Sequence, residues 1–264
     1  MTKVIAIANQ KGGVGKTTSA VSISSQLALL GYKILLIDFD PQASATSGLG
    51  VELNEEGSDL YDVFFQKTSL GEIIKPSNVK NLDVAPSSKD LVSIELELGK
   101  TPGRELILKS ELKLLKSRYD LVLIDCPPSS GLLTLNAMGA ANSILIPLQA
   151  EYYALEGLSS LLDTIEFVKQ TFNPSLDILG VFMTMFDSRT NLSIQVEKEA
   201  KSFFAKKMFR AKVPRNIKLS ECPSHGLPIC LYAPGSAGAD AYKKVSREIL
   251  RRLDTANTKL AANG

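Results

Sequence analysis

A glycine-rich segment near the N-terminus carries the residues with the clearest capacity for chemistry. Residues 10–18 have the sequence QKGGVGKTT, directly after a short apolar run and directly before a helical pattern. A strand, a glycine-rich turn and a helix N-terminus together form an anion site, because backbone N–H groups converge there and the helix dipole is positive. The segment therefore predicts a loop that binds the phosphate groups of a nucleoside triphosphate.

Individual residues of this phosphate loop have distinct expected roles. Lys16 is expected to reach the β- and γ-phosphates, and the Thr17 hydroxyl is expected to ligate Mg²⁺. Thr18, one residue into the helix, is placed to contact the α-phosphate. A turn without any ligand is the alternative, and the strand before the loop and the helix after it argue against that alternative. The other predicted nucleotide contacts in the loop are Lys11, Gly12, Gly13, Val14 and Gly15.

The loop departs from the standard G-x-x-x-x-G-K-[ST] pattern, because Gln10 occupies the position of the first glycine and Lys11 follows it. Residues 11–18, KGGVGKTT, resemble the deviant Walker A motif of the ParA/MinD group of ATPases. In that group the early lysine crosses a dimer interface and contacts phosphate on the partner's nucleotide. The resemblance thus implies ATP, Mg²⁺, a homodimer, and catalytic roles for Lys11 and Lys16. The alternative for Lys11 is a solvated loop lysine.

Two other apolar runs end in carboxylates. The run LVLID ends at Asp125, which is the usual form of the carboxylate near Mg²⁺ in a nucleotide site. Asp38 and Asp40 lie two residues apart in DFDPQ, so in an extended chain they point to the same side. This segment resembles the D-x-D-P-Q switch of ParA proteins, which implies that Asp40 positions the attacking water and Asp38 supports the Mg²⁺ shell. A capping pair at a strand–helix junction is the alternative.

A later segment favours one subgroup of this family. Residues 213–224, VPRNIKLSECPS, resemble a segment of the chromosomal ParA (Soj) proteins. By that resemblance Thr184, Pro214 and Asn216 lie near the adenine. The chain also lacks the N-K-x-D pattern that GTPases use for guanine, which favours ATP.

The same resemblance places three basic residues against DNA, namely Arg189, Arg215 and Lys218. Clustered cations bind DNA phosphates without regard to base sequence, and such binding depends strongly on salt. Solvated surface cations are the alternative for each of them.

Together these segments resemble partitioning ATPases from residue 3 to about residue 253. The resemblance implies that an ATP-bound dimer binds nonspecific DNA, and that a ParB/Spo0J-like partner at centromere-like sites stimulates slow hydrolysis and release. A membrane-associated, MinD-like regulator is the main alternative. It would need a C-terminal amphipathic helix with bulky apolar residues, but the tail after Leu253 offers only Leu260. A nitrogenase-type iron protein would need paired cysteines, which the three in this chain do not form.

The elements that must position these residues alternate along the chain. Alternation of strands with helices predicts an α/β fold with a mostly parallel twisted sheet covered by helices on both faces. The phosphate loop at residues 10–18 assigns this fold to the P-loop nucleotide-hydrolase class. Apolar runs predict strands at residues 4–8, 33–38, 82–85, 121–125, 143–148 and 178–185. Helical patterns cover residues 17–30, 104–117, 132–141, 156–171, 192–206 and 239–253.

Composition limits the remaining possibilities. A chain of 264 residues with 44% apolar content has enough material for one large domain, expected over residues 1–254, with a disordered tail at 255–264. A formal net charge of +2 gives no global signal for nucleic acid, so any DNA contact must be local. Unpaired cysteines, no secretory signal and no long apolar stretch predict a cytoplasmic protein without a membrane span. The resemblance implies that it associates with the nucleoid and does not bind membranes.

Overall fold

The computed structural model describes residues 2–52, 57–115, 118–151 and 156–262, with the side chains of residues 156–157 and 255–262 outside that description. Within these residues one sheet contains all the strands: β1 Lys3–Ile7, β2 Ile34–Asp38, β3 Lys75–Pro76, β4 Leu82–Ala85, β5 Leu121–Asp125, β6 Ser143–Gln149 and β7 Asp177–Thr184. The helices are α1 Lys16–Leu29, α2 Ser44–Gly48, α3 Leu60–Phe64, α4 Leu70–Ile73, α5 Ile94–Glu97, α6 Ile107–Leu114, α7 Leu132–Ala140, α8 Glu156–Thr171, α9 Asn191–Phe204, α10 Lys218–Glu221, α11 Ile229–Tyr232 and α12 Ala237–Ala262.

The sheet is parallel except at one edge. Its strand order is β3-β4-β2-β5-β1-β6-β7, and only the short β3 runs antiparallel to its neighbour β4. The central strands β2, β5 and β1 lie side by side, with Asp38 opposite Asp125 and Ile7 opposite Asp125 in the register. Their carboxyl ends therefore meet at one edge, where the phosphate loop and both predicted acidic segments emerge. The predicted fold class is confirmed.

The central strands are buried on both faces, as their continuous apolar sequences predict. Alternate residues such as Ala6 and Ile124 pack in a core completed by α7 and α8. Their neighbours Ile7 and Leu123 pack in a second core completed by α1 and α12. These two cores hold the sheet rigidly between two helical layers, so the loops at its carboxyl edge stand on a fixed scaffold.

Two helices differ clearly from the predicted elements. The helix predicted at residues 104–117 begins as a tight 3₁₀ turn, and the α-helical part covers only Ile107–Leu114. Its first turn follows Gly103, whose left-handed backbone (φ 76°) changes the direction of the chain. The last helix runs to Ala262, past the predicted end at residue 253. The disordered tail at residues 255–264 stays a prediction, because their side chains lie outside the described residues. None of the helices in the described part of the chain has the length and apolarity needed to cross a bilayer.

Candidate active site

The phosphate loop connects β1 to α1 at the carboxyl edge of the sheet. Gly13 and Gly15 have φ angles of 74° and 87°, a left-handed conformation that residues with a side chain rarely adopt. Gly15 is the N-cap of α1, so the first helical N–H groups follow it directly. An added Cβ at Gly12 or Gly13 would meet no atom within 4 Å, which leaves the loop backbone open to a ligand. The geometry is that of an anion cradle at a helix N-terminus.

Lys16 is the buried cation of this loop. Its side chain is largely buried, and its Nζ donates to the carbonyl oxygen of Lys11 at 3.1 Å. Burial lowers the pKa of Lys16, and the nearby charges of Asp125 and Asp40 offset part of that decrease. A buried ammonium held beside carboxylates is suited to bind the terminal phosphates of a nucleotide.

Asp125 is fully buried at the end of β5, and neither of its carboxylate oxygens has a hydrogen-bond partner among the described residues. Burial raises its pKa well above the usual range, and the charge of Asp38 on the adjacent strand raises it further. The Thr17 hydroxyl lies near enough to offset part of this rise, although its geometry falls short of a hydrogen bond. A buried carboxylate without partners is costly, and a bound cation would satisfy it.

The donors at this edge fit Mg²⁺ in particular. Thr17 supplies a hydroxyl oxygen, and Asp125 and Asp38 supply carboxylates, which are the hard oxygen donors that Mg²⁺ prefers. No cluster of three or more His, Cys, Asp or Glu side chains capable of holding a metal occurs among the described residues. Magnesium commonly uses only one or two carboxylates and completes its shell with phosphate and water. These residues would therefore hold the ion together with a nucleotide.

Asp38 is held by a residue that sequence reasoning missed. Its Oδ2 accepts hydrogen bonds from both Thr46 N at 2.8 Å and Thr46 Oγ1 at 2.7 Å. Thr46 is itself buried, and its hydroxyl accepts from Ser87 N at 3.2 Å. Thr46 follows Asp38 by eight residues and belongs to no motif, so only the turn before α2 brings it back. The strained backbone of Ala43 (φ 51°) lies in that turn.

Replacing Thr46 with valine should destabilise the protein at neutral pH. The change removes a charge-assisted hydrogen bond to Asp38 and leaves Ser87 N without its acceptor, so the unfolding free energy should fall by about 1–3 kcal/mol. Urea denaturation measures this loss. Thr46→Ser keeps the hydroxyl and should recover most of the stability, and equal losses in the two variants would contradict a role for the hydroxyl.

The paired carboxylates should give the nucleotide-free protein a distinctive pH dependence. Burial raises the pKa of Asp38 to about 6, although the hydrogen bonds from Thr46 offset part of this rise. An unfolded aspartate ionises near pH 4, so between about pH 4 and pH 6 the folded state retains a proton that the unfolded state has released. This contribution to stability is present below pH 4 and is lost as the pH rises through 6. Asp38→Asn should show a smaller decline, in which burial of Asp125 accounts for what remains. Denaturation curves with the same pH dependence in both proteins would contradict this.

Asp40 lies closer to solvent than Asp38. Its Oδ1 accepts from Gln42 N at 3.0 Å, and its carbonyl oxygen accepts from Ser87 Oγ at 2.7 Å. Ser87, two residues after the end of β4, was also missed by sequence reasoning. The carboxylate thus sits on a turn that is fixed at its backbone while its side chain remains partly accessible.

A cavity of about 270 Å³ lies beside the phosphate loop. It brings together all three residues predicted to lie near the adenine, Thr184, Pro214 and Asn216, with Gly15 and Thr18 of the loop. Thr184 Oγ1 donates to the carbonyl oxygen of Val14 at 2.8 Å, which ties the end of β7 to the loop. A planar base placed here would lie next to phosphates held at the N-terminus of α1.

Lys11 lies on the same loop but directs its ammonium elsewhere. The Lys11 Nζ atom pairs with Glu151 Oε2 at 2.7 Å, while the Lys11 carbonyl faces Lys16. The neighbouring Gln10 donates through its amide to Ser130 Oγ at 2.6 Å and Thr164 Oγ1 at 3.2 Å. Nothing in the sequence pattern indicated Glu151 as a partner for Lys11.

The predicted DNA residues lie at the surface near the base cavity. Arg189 forms two side-chain hydrogen bonds with Asp187, which lower the pKa of that carboxyl to about 2. The charge of Arg215 also lowers the pKa of Asp187, and Arg215 itself lines the base cavity. Lys218 pairs with Glu221 at 2.8 Å. Two of these three cations therefore have carboxylate partners that a DNA phosphate would have to displace.

Comparison with known proteins agrees with this geometry. A family model described as an AAA domain matches residues 2–178. The chain is 50% identical over 249 residues to the sporulation initiation inhibitor protein Soj of Bacillus subtilis, covering 94% of this chain and 98% of that protein. It is 47% identical to the chromosome partitioning protein ParA of Myxococcus xanthus, covering 95% of this chain and 88% of that protein.

A solved structure has a similar fold over almost the whole chain. It is a cobyrinic acid a,c-diamide synthase from Mycobacterium smegmatis, solved with a bound ATP analogue and magnesium. It has a TM-score of 0.85 and 34% identity, and the match covers 97% of each chain.

Proposed function

This chain belongs to the Soj/ParA family of chromosome-partitioning ATPases, and we propose that it works as a dimerising switch that ATP closes on DNA. As a member of that family it is an ATPase, and its cofactors are ATP and Mg²⁺. The observation that carries the proposal is the convergence of three features at one sheet edge. A glycine cradle with a buried lysine, a buried carboxylate without partners and a cavity for a base all adjoin the start of α1.

Each residue then has a part in hydrolysis. Lys16 and the backbone of residues 12–15 would hold the phosphates, and Thr17, Asp38 and Asp125 would hold Mg²⁺. The ion would supply positive charge against the transferring phosphoryl group. Asp40 orients the attacking water from its partly accessible turn. The base lies in the cavity lined by Thr184, Pro214 and Asn216, and Thr18, which also lines this cavity, contacts the α-phosphate.

Lys11 acts on the nucleotide of a second copy of the chain. Within its own subunit the phosphate site already has Lys16, and Lys11 offers that site its carbonyl instead of its ammonium. An ammonium supplied across a dimer interface stabilises the γ-phosphate region as an arginine finger does. ATP binding and dimerisation are thereby coupled, so ATP shifts the population from monomer to dimer.

The dimer presents its basic residues to DNA phosphates without base recognition, which places the protein on the nucleoid. A single set of exposed cations binds DNA weakly, and two sets on one dimer bind it more tightly because the second contact is intramolecular. A ParB/Spo0J-like partner stimulates hydrolysis, and the return to monomers releases the DNA. The binding energy of ATP therefore serves a cycle of attachment and release.

Salt dependence tests the DNA surface directly. Alanine replacement of Arg189 or Lys218 should weaken ATP-dependent DNA retention. For each phosphate contact that is lost, the slope of log affinity against log salt should decrease in magnitude by about 1. ATP affinity should be unchanged, because neither residue lines the base cavity. Fluorescence anisotropy with a DNA duplex measures the slope. Lys80→Ala, at an exposed lysine elsewhere, is the matched control, and equal slopes for it and the two variants would exclude these contacts.

A further inference from the structure

The lysine that acts across the proposed dimer is engaged within its own subunit. Lys11 Nζ lies 2.7 Å from Glu151 Oε2, and the exposed fractions of the two side chains are 30% and 46%. The second carboxylate oxygen of Glu151 accepts a hydrogen bond from Gln149 Nε2. Both oxygens of this carboxylate therefore have partners, and one of the partners is the Lys11 ammonium.

The pairing follows from the way the loop is anchored. The buried Asn9 accepts from Lys11 N through Oδ1 at 3.0 Å and donates through Nδ2 to the carbonyl oxygen of Pro147 at 2.8 Å. Pro147 belongs to β6, and Glu151 follows the end of that strand. Asn9 thus fixes the Lys11 backbone to the strand whose end is followed by Glu151. The Lys11 ammonium is therefore held within reach of the Glu151 carboxylate.

We propose that Glu151 is a positioning residue that holds Lys11 within its own subunit and so raises the ATP and protein concentrations at which the dimer forms. The inference rests on the proposed function, in which Lys11 contacts the nucleotide of the partner. One ammonium cannot lie against Glu151 and against a phosphate of the other subunit at the same time. Closure of a symmetric dimer breaks this pair twice, once in each subunit.

The expected effect is moderate, because both side chains are partly exposed. Breaking one exposed ion pair changes the dimerisation constant by up to about fivefold. A symmetric dimer breaks two such pairs, so together they weaken dimerisation by about 2- to 25-fold. Salt screens such a pair. The restraint should therefore be strongest at low ionic strength, and raising the salt should weaken it.

A charge-neutral variant of the same shape tests this proposal. Glu151→Gln should lower the dimer dissociation constant by about 2- to 25-fold in the presence of Mg²⁺ and a non-hydrolysable ATP analogue. The difference from wild type should narrow at high salt. Sedimentation velocity of the full chain measures the constant. Asp177→Asn is the control, since it removes one carboxylate from a partly exposed pair with Lys207. Asp177 lies at the amino end of β7, whereas Glu151 follows the carboxyl end of the neighbouring β6, so the control should match wild type.

Lys11→Ala separates failure of this inference from failure of the proposed function. If Lys11→Ala does not dimerise while Glu151→Gln dimerises no better than Asp177→Asn, the restraint is wrong and the trans role of Lys11 stands. If Lys11→Ala dimerises as wild type does, the trans role fails and the restraint fails with it. In the double variant, Glu151→Gln should add nothing to Lys11→Ala, because the pair has already lost its cation.

Discussion

Replacing Lys16 with alanine should abolish ATP-dependent retention on DNA, whereas replacing Asp40 with alanine should preserve or prolong it. Lys16 is the buried cation of the phosphate loop, and losing it removes the main charge proposed to bind the β- and γ-phosphates. Loss of one such electrostatic contact typically costs about 100- to 1,000-fold in turnover. In the proposed function Asp40 orients the attacking water instead, so its loss should trap the proposed dimer in the ATP state.

Retention of a fluorescent duplex on immobilised protein, followed after ATP removal, separates the two outcomes. Wild type should release the DNA as it hydrolyses ATP, Asp40→Ala should release it more slowly, and Lys16→Ala should retain none. Lys33→Ala, at an exposed lysine outside the site, should behave as wild type. Retention that is equal without nucleotide, or equal in all the variants, would contradict the switch.

Replacing Asp125 with asparagine should inactivate the enzyme and stabilise the nucleotide-free protein. The carboxylate is buried without a hydrogen-bond partner in the described chain and lies beside Asp38, so at pH 8 removing its charge should raise the unfolding free energy by about 1–3 kcal/mol. The same change removes a predicted Mg²⁺ ligand, and metal assistance contributes on the order of 100-fold or more to the rate. Function and stability therefore oppose one another at this residue.

Thermal denaturation and phosphate release assays on the same preparation check both effects. The gain in stability should shrink as the pH is lowered, because the raised pKa lets the folded wild type protonate Asp125 at a higher pH than the unfolded chain does. Asp163→Asn, at an exposed position of α8, should change neither property. If Asp125→Asn is less stable than wild type at pH 8, the buried carboxylate does not destabilise the folded protein, and this prediction is wrong.

Much of the fold could be predicted because most strands are short runs of predominantly apolar residues. The runs at residues 121–125 and 82–85 coincide with β5 and β4, and the helix at 156–171 coincides with α8. The short antiparallel β3, only two residues long, was not predicted, because Lys75–Pro76 has no apolar character. It forms by pairing with β4, which is a tertiary contact that local patterns do not encode.

In the site too, residues in local motifs could be predicted from the sequence, whereas residues brought in by tertiary contacts could not. Lys16, Asp38 and Asp125 each lie at a strand end or in a loop motif, so their spacing along the chain predicted their convergence. Thr46 and Ser87, which hold the acidic turn, come from segments joined only in the folded chain. Motifs record groups that contact a ligand, whereas the residues that position those groups depend on packing.

Lys11 illustrates a further limit. Its resemblance to a family motif predicted a contact with a second subunit, but its partner within its own subunit follows from the anchoring of the loop by Asn9. The sequence therefore indicated the proposed active position of this side chain and gave no sign of its resting position. A switch residue needs both positions, and a single motif describes only one.

The central claim is that one loop binds the triphosphate while a second subunit contributes its lysine to the same phosphates. Calorimetric titration of a non-hydrolysable ATP analogue with Mg²⁺, repeated at several protein concentrations, tests both parts in one measurement. We expect one nucleotide per chain and an apparent affinity that tightens as the protein concentration rises, because dimerisation is coupled to binding. Absence of binding heat would contradict the nucleotide site, and an affinity independent of protein concentration would contradict the contribution of the second subunit.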